Sequence, residues 1–338
     1  MISCSFRNLI IHWVIFFVCP FAGIASSQKF EVKDSINLHP VKFSKINRNK
    51  VNYQKPSNNF YKTDSIFSFR SQKGYFPSLL HNFGEQATKP IRFSAKQWLV
   101  SGVALGITAT LFCVDDDIDD WATTQKEKHN WVNISSPVIS ELGGRYGVYL
   151  VGAIGTLSAV FKKQKRVQTS LLATQAMITS GVWVNVIKTL TGRERPKGAY
   201  LYSQSKGGKW NGPLARFDRD LAFDKSNFAF DAFPSGHTAT AFSIATVFAS
   251  QYNESKVIPI ISYSLASMVG ISRLTEHEHW ASDVFAGALF GYLCGKQVVG
   301  HFNKTHQNFL TDMPLQSKNK AQLTLIQEGN QFGLSISW

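Results

Sequence analysis

From residue 97 onward the chain is dominated by six long apolar stretches, five of which contain no Asp, Glu, Lys or Arg. Only Lys296 interrupts the sixth. No alternation of apolar and polar residues is present in them, and their lengths suit helices. The stretches are 97–114, 146–161, 167–187, 232–253, 257–272 and 284–300. This pattern predicts an all-α protein, a six-helix bundle around one core.

The apolar character of these stretches predicts a membrane-embedded bundle. A membrane span needs roughly 20 apolar residues, with about 17 as a lower limit, and the stretches 146–161 and 257–272 are shorter than that. A soluble bundle with fully buried helices is therefore the alternative. The basic run 162–166 resembles a cytoplasmic loop, which places the segment 191–233 on the exported side. If the signal is cleaved and every stretch crosses the membrane, the third stretch ends in the cytoplasm, which contradicts this orientation. The number of crossings therefore stays open.

The chain begins with the layout of a secretory signal peptide. Arg7 precedes an apolar run over residues 9–25, and the small residues Gly23 and Ala25 stand at the end of that run. A basic start, an apolar stretch and small residues are typical of exported proteins. We therefore predict a signal peptide over residues 1–27, with an uncleaved anchor helix as the alternative. The expected location is a bacterial-type cell envelope, with the segment 191–233 facing the periplasm.

Two polar segments flank the apolar region. Residues 28–96 are rich in Asn, Ser and Lys without a persistent period, which predicts a basic, largely irregular arm. The arm is either a solvated leader or a surface that rests on anionic headgroups. In the tail, 304–338, apolar and polar residues alternate on both sides of residues 328–330, which predicts a small β-hairpin. The residues between them, 97–303, form the predicted helical domain.

The overall charge narrows the class of partner. Lys and Arg number 36 against 22 Asp and Glu among 338 residues, a formal charge of +14, and 44% of the residues are apolar. Such a composition excludes a wholly disordered chain and favours anionic partners. The acidic run 115–120 opposes this trend. It lacks the spaced ligands of a calcium loop, so we expect a solvated acidic connection there.

The first segment with candidate chemistry holds two cations. Lys188 and Arg195 are seven residues apart, about two helical turns, so both side chains can reach one anion from the same side. A guanidinium matches phosphate oxygens with paired donors, and an ammonium adds a compact charge. The alternative is that both cations interact only with the helix end and with solvent.

The second segment opens the apolar stretch 232–253. Pro234 and Ser235 mark a helix N-terminus, where free N–H groups and the positive end of the helix dipole attract anions. Gly236 permits a close backbone approach, Ser235 adds a hydroxyl donor, and His237 can hold a transferable proton. An ordinary helix cap with an incidental histidine is the alternative.

The third segment places an imidazole beside a carboxylate. His279 and Asp283 are four residues apart and share one helix face, so the carboxylate can accept the Nδ1–H and leave Nε2 as a nucleophile. Arg273 adds a third cation. A zinc site that includes His277 and Glu278 is disfavoured, because neighbouring helical residues point about 100° apart.

Together the three segments resemble the signature of the type 2 phosphatidic acid phosphatase (PAP2) superfamily: Lys-x6-Arg-Pro, Pro-Ser-Gly-His and Ser-Arg-x5-His-x3-Asp. The matching positions are Lys188, Arg195, Pro196, Pro234, Ser235, Gly236, His237, Ser272, Arg273, His279 and Asp283. The resemblance covers about residues 167–300. The surroundings of Arg195 and His279 look most like the membrane lipid phosphatases, whereas secreted acid phosphatases and vanadium haloperoxidases share the core motif.

The resemblance implies a phosphatase that needs no metal and no other cofactor. It would hydrolyse a phosphomonoester or pyrophosphate of an anionic envelope lipid. His279 is implied as the nucleophile that forms a phosphohistidine, Asp283 as its orienting group and His237 as the proton donor to the leaving alkoxide. The implied phosphate-binding residues are Lys188, Arg195, Ser235, Gly236 and Arg273.

Several alternatives stay open on the sequence alone. A soluble periplasmic acid phosphatase of broad specificity and a vanadate-dependent haloperoxidase would carry the same motif. A non-catalytic protein that binds anionic lipid is the alternative from another class. A lipid phosphate and the membrane are the expected partners, nucleic acid is not, and the particular lipid and the oligomeric state are undetermined.

Overall fold

The computed structural model describes residues 74–217, 229–312, 322–328 and 331–337. The predicted signal peptide or anchor helix, and most of the basic arm, lie outside the described residues. The helices of twelve residues or more are α1 Tyr75–Thr88, α2 Ala95–Phe112, α3 Asp115–Lys128, α4 Asn130–Glu141, α5 Arg145–Val160, α6 Gln164–Thr191, α7 Gly236–Gln251, α8 Val257–Thr275 and α9 Ala281–Asp312. Strands β1 Gln322–Glu328 and β2 Gln331–Ser337 pair antiparallel.

The structure is mostly helical, as predicted, but the count of six helices is not confirmed. Helices α2 and α5 to α9 coincide with the six apolar stretches, whereas α1, α3 and α4 are additional. Helix α3 begins with the acidic run, and α4 contains Pro137. The residues that these helices bury are largely polar, and several of their large apolar side chains, such as Phe76 and Leu80 of α1, are exposed.

Helix α1 lies within the segment predicted to be irregular, so that prediction is wrong for residues 75–88. Its buried face consists of Ser78 and Asn82. The Asn82 amide donates to Gln175 of α6 at 3.1 Å and accepts from Gln297 of α9 at 3.1 Å. Because buried amides need such partners, this hydrogen-bond pairing docks α1 on the bundle, and Tyr75 of α1 adds an apolar contact with the core.

Helix α7 lies at the centre of the bundle, where it packs against α6, α8 and α9. One buried cluster joins Val247 of α7 to Leu172 and Val298, and a second surrounds Phe242 and Tyr263. These clusters hold together the helices that carry the three motif segments.

A row of glycines brings α9 directly against α7. A Cβ on Gly287 would lie 2.4 Å from the Ser235 carbonyl oxygen, and one on Gly291 would lie 2.2 Å from that of Ala239. Gly295 repeats the spacing one turn later. Small residues four apart allow two helix backbones to approach closely. The contact brings the N-terminus of α7 and the first turn of α9 side by side.

Replacing Gly291 by alanine is expected to destabilise the bundle by about 1–3 kcal/mol, because the new methyl group overlaps backbone atoms of α7. The matched control is Gly181→Ala in α6, where a Cβ meets no atom within 4 Å. There alanine should be neutral or stabilise by up to about 1 kcal/mol. Thermal unfolding of the two variants in detergent measures the difference, and equal melting temperatures would contradict the packing described.

Two helices of the described residues, α6 and α8, are long and apolar enough to cross a membrane. The pair α2 and α3, bent by 66°, would make a third span if it crosses as one unit. Large apolar side chains on the outer faces are exposed, for example Leu99 of α2 at 69% and Ile261 of α8 at 53%. Faces of this kind match a lipid environment.

Candidate active site

Helix α6 delivers the first motif segment to the site. Lys188 lies buried in its last turn, and Gly192 ends the helix in the left-handed region, where its N–H donates to the Lys188 carbonyl at 3.0 Å. A Cβ at Gly192 would lie 2.4 Å from the Gly212 carbonyl oxygen. Glycine therefore suits this C-terminus both conformationally and sterically. The sharp turn places Arg195 just beyond the helix end.

The second segment lies between the first and the third. Ser235 is the fully buried N-cap of α7, and its backbone N–H donates to the Asp283 carbonyl at 2.9 Å. A Cβ on Gly236 would lie 4.0 Å from Cε of Lys188. The structure thus brings all three motif segments together around the N-terminus of α7.

Two carboxylates hold the three cations of the motif. Asp231 accepts from Nε of Arg195 at 2.8 Å, and its Oδ2 lies 3.3 Å from Nζ of Lys188. The Glu278 carboxylate pairs with Arg195 and lies 3.5 Å from Nη2 of Arg273. Neither pairing follows from the motif spacing. The arrangement concentrates positive charge while leaving Glu278, at 32% side-chain exposure, as the accessible counter-ion.

Two buried polar atoms at this place have no hydrogen-bond partner among the described residues: Nε of Arg273 and Nδ1 of His279. The Arg273 side chain is otherwise held by Ser140 of α4 through Nη1. Buried donors and acceptors without partners are uncommon in folded proteins. Their presence beside three cations indicates a site prepared for a polar ligand.

The expected hydrogen bond between His279 and Asp283 is not formed in this structure. The two side chains share a face, as their spacing predicts, but Nδ1 of His279 is 3.7 Å from Oδ2 of Asp283. That oxygen accepts from the backbone N–H of Trp280 at 2.9 Å, and Oδ1 accepts from Arg193 at 2.6 Å. The stronger pairing with a guanidinium determines where the carboxylate points.

Arg193 is the residue of the site that the motif analysis missed. Its side chain is 1% exposed and bridges Asp283 to Asp115 at 2.6 and 2.7 Å, with further bonds to Ser282 and the Gly207 carbonyl. The guanidinium also lies over the rings of Phe112, Trp210 and Trp280. Arg193 lies between motif positions, so the motif spacing gives no signal for it. A fully buried guanidinium nevertheless requires anionic or carbonyl partners.

The acidic run is not the solvated connection that the sequence predicts. Asp115 is fully buried and accepts from Arg193 and from the Ser282 backbone N–H at 2.9 Å. Asp119 is also buried, and its carboxylate lies 2.9 Å from Nδ1 of His277. The run opens α3, where Asp115 and Asp119 face partners distant in sequence while Asp117 and Asp120 are exposed. His277 therefore faces Asp119, so the zinc set considered above does not assemble.

The turn between α4 and α5 supports His237. A Cβ on Gly143 would lie 2.4 Å from the His237 carbonyl oxygen, and one on Gly144 would lie 3.0 Å from its Nε2. Side chains at these positions would therefore displace the imidazole. The two glycines lie outside the motif segments, and the sequence alone does not reveal this contact.

Burial, reinforced by the surrounding cations, lowers the pKa of both imidazoles and favours their neutral forms. Burial, followed by Arg195 and Lys188, holds the pKa of His279 well below its ordinary value. Burial and then Arg273 lower the pKa of His237 to about 4. Burial raises the pKa of Asp283 to about 6. A bound dianion would offset the cations and raise both histidine pKa values.

Comparison with known proteins supports the motif resemblance. Residues 170–306 match the PAP2 superfamily. A segment of 109 residues is 39% identical to lipid A 1-phosphatase of Porphyromonas gingivalis, covering 31% of this chain and 24% of that protein. A segment of 139 residues is 32% identical to lipid phosphate phosphatase 1 of Arabidopsis thaliana, covering 35% and 39%.

Among solved structures, the transmembrane PAP2 type phosphatidylglycerolphosphate phosphatase of Bacillus subtilis is 23% identical, with a TM-score of 0.44. That alignment covers 60% of this chain and 95% of that one. The chain matches only 24% and 39% of the length of the two curated relatives. The family match itself contains all three motif segments, from Lys188 to Asp283. Residues 170–306 are therefore similar to the PAP2 superfamily across all three motif segments.

Proposed function

We propose that this protein is a metal-independent lipid phosphatase that hydrolyses a phosphomonoester or pyrophosphate of an anionic envelope lipid. The observation that carries the proposal is the convergence of three cations, two imidazoles and the N-terminus of α7 at one buried place. Its similarity to lipid A 1-phosphatase and lipid phosphate phosphatase supports the lipid class.

In the proposed reaction, the neutral imidazole of His279 attacks phosphorus through Nε2. A nitrogen–phosphorus bond forms while the bond from phosphorus to the lipid oxygen breaks, and His237 donates its proton to that oxygen. Water then attacks the phosphohistidine, gives a proton back to His237 and releases inorganic phosphate together with the free imidazole. Each step conserves charge and protons without a further reactant.

The cations stabilise the charge that spreads over the equatorial oxygens during transfer. We assign the phosphoryl oxygens to Lys188, Arg195 and Arg273, with the Ser235 hydroxyl and the Gly236 N–H at the helix N-terminus. The incoming phosphate group replaces the partly exposed Glu278, whereas the buried Asp231 remains as the permanent counter-ion. The exchange keeps the charges of the site compensated both with and without substrate.

We assign a positioning role to the chain of contacts from Asp115 through Arg193 to Asp283. Asp115 anchors one side of the Arg193 guanidinium at 2.7 Å, and the other side holds the Asp283 carboxylate at 2.6 Å. Asp283 then lies where its negative charge stabilises the His279 imidazole as it becomes positive. Arg193 therefore acts on catalysis through Asp283, without touching the substrate.

The proposal predicts that kcat/KM for an alkyl phosphate peaks near pH 6. With a pKa of about 4, His237 carries no proton in the free protein, so the proton must arrive on the phosphate, whose second pKa is about 6. Above about pH 6 the substrate phosphate lacks this proton, and kcat/KM falls about tenfold per pH unit. Below about pH 6, Asp283 gains a proton and loses the charge that supports His279.

A leaving-group comparison checks this assignment. An ester of p-nitrophenol needs no proton to depart, so His237→Ala assayed with it should show no alkaline decline. A pH profile that is flat between about pH 5 and 8 for the wild-type protein with an alkyl phosphate would contradict the interpretation that the substrate phosphate brings the proton for His237.

The direct test measures phosphate release by the purified full-length chain in detergent. The substrates are phosphatidate, phosphatidylglycerophosphate, a polyprenyl pyrophosphate and a lipid A phosphate, with p-nitrophenyl phosphate as the water-soluble comparison. We expect one lipid to be preferred and turnover to be undiminished by EDTA. Preference for the soluble ester would favour a broad-specificity acid phosphatase, and halide oxidation with added vanadate but no hydrolysis would establish a haloperoxidase.

A further inference from the structure

A second cluster of metal-ligating side chains lies on α1 and α9. His81 and Glu85 are one turn apart on α1, and His301 faces them from α9. One ligand atom from each of the three lies within 4.8 Å of the other two. Nε2 of His81 is 3.6 Å from Oε1 of Glu85, and the two imidazole centroids are 4.4 Å apart. No other such group of three is found in the part of the chain that the structure describes.

The donor set suits a transition-metal ion of the zinc type. Two imidazole nitrogens and one carboxylate oxygen are typical zinc ligands, with a fourth position open to water. Zinc–ligand bonds of about 2.0–2.1 Å in a tetrahedron place the ligand atoms about 3.4 Å apart. The spacing from His81 to Glu85 already approaches this value. The ligand atoms of the exposed His81 and the half-buried His301 need to move only a short distance to reach this spacing.

Surrounding residues hold these ligands on rigid elements. Oε2 of Glu85 accepts from the Gln297 amide at 3.1 Å, and the same amide donates to Asn82 of α1 at 3.1 Å. Outer hydrogen bonds of this kind orient metal-ligating carboxylates. Burial, followed by the neighbouring His81, lowers the pKa of His301 and thereby favours the neutral form that coordinates metals.

We propose that His81, Glu85 and His301 bind one zinc-type divalent ion that links α1 to α9 and stabilises the fold. The twenty residues of α9 between Ala281 and His301 rise about 30 Å, so the ion would lie far from the histidines of the active site. Helix α1 precedes the segment 170–306 that matches the family, whereas His301 lies within it, so the ion would tie the matched segment to a helix outside it.

The test titrates zinc ions into the metal-stripped full-length protein in detergent and follows thermal unfolding. At roughly a hundredfold excess over Kd we expect the melting temperature to rise by about 5 °C or more. Competition with a chromophoric chelator should show that one zinc ion binds per chain. His81→Ala and His301→Ala should abolish both effects, and the exposed His129→Ala, as the matched control, should keep them.

The same variants make the result decisive. Metal-free His81→Ala and His301→Ala should melt near the metal-free wild-type protein, which shows that they fold. An equal rise with zinc in these variants, or no rise in the wild type, would overturn the proposal. Phosphate release by both variants at a permissive temperature should match the wild type with or without EDTA, so this test is independent of the phosphatase assignment.

Discussion

Replacing His279 by alanine is expected to lower phosphate release by about 10⁴-fold or more, because the substitution removes the proposed nucleophile. The residue is 1% exposed and lies among three cations, so its loss removes the nucleophile without removing the binding site. Substrate with a radiolabelled phosphate, quenched during turnover, should leave label on residue 279 of the wild-type protein and none on the variant.

His237→Ala is the informative companion to that experiment. With p-nitrophenyl phosphate it should still form the labelled intermediate, whereas turnover of an alkyl phosphate should fall about 10²–10⁴-fold. His129→Ala, an exposed imidazole outside the site, should behave as wild type. A loss below about tenfold for His279→Ala, or label on another residue, would refute the assigned nucleophile.

Replacing Arg193 by alanine is expected to destabilise the protein by about 3–5 kcal/mol, because two buried carboxylates, Asp115 and Asp283, lose their shared counter-ion. We also expect kcat to fall about a hundredfold while KM changes little, since the phosphate-binding cations are other residues. Arg193→Lys should not restore activity, because an ammonium cannot reproduce the planar fork that bridges both carboxylates. Thermal unfolding and steady-state kinetics measure the two effects.

The pH profile separates a positioning role from mere loss of structure. Arg193 lowers the pKa of Asp283 against the larger effect of burial, so its removal should move the acidic limb of kcat/KM to higher pH. Arg92→Ala, which removes an exposed guanidinium that donates to Thr88, is the matched control and should leave the limb in place. Activity that falls only in proportion to the unfolded fraction, with an unmoved limb, would show that Arg193 is purely structural.

The sequence predicted the helices that bury apolar side chains, because their long stretches without charged residues are visible along the chain. It did not predict α1, whose attachment depends on amide pairs such as Asn82 with Gln175, 93 residues apart. Hydrogen bonds between polar side chains at such separations leave no local pattern. The same limit explains why the acidic run looked solvated.

Within the site, motif spacing located the imidazoles and cations but not the groups that hold them. Arg193 meets Asp115 and Asp283 across 78 and 90 residues. The four-residue spacing of His279 and Asp283 placed both on one face, yet their atoms stand 3.7 Å apart because the guanidinium competes for the carboxylate. A shared face therefore establishes proximity, while the hydrogen bond depends on every other donor nearby.

The bond from the Ser235 amide to the Asp283 carbonyl has a practical meaning for experiments on this protein. It joins the two histidine-bearing segments through main-chain atoms, which no side-chain substitution deletes. Alanine variants of the two histidines therefore keep the wild-type distance between the segments. Their kinetics then report the loss of the imidazole and not a change in backbone position. Inhibitors that bridge the two segments can likewise be designed against a fixed separation.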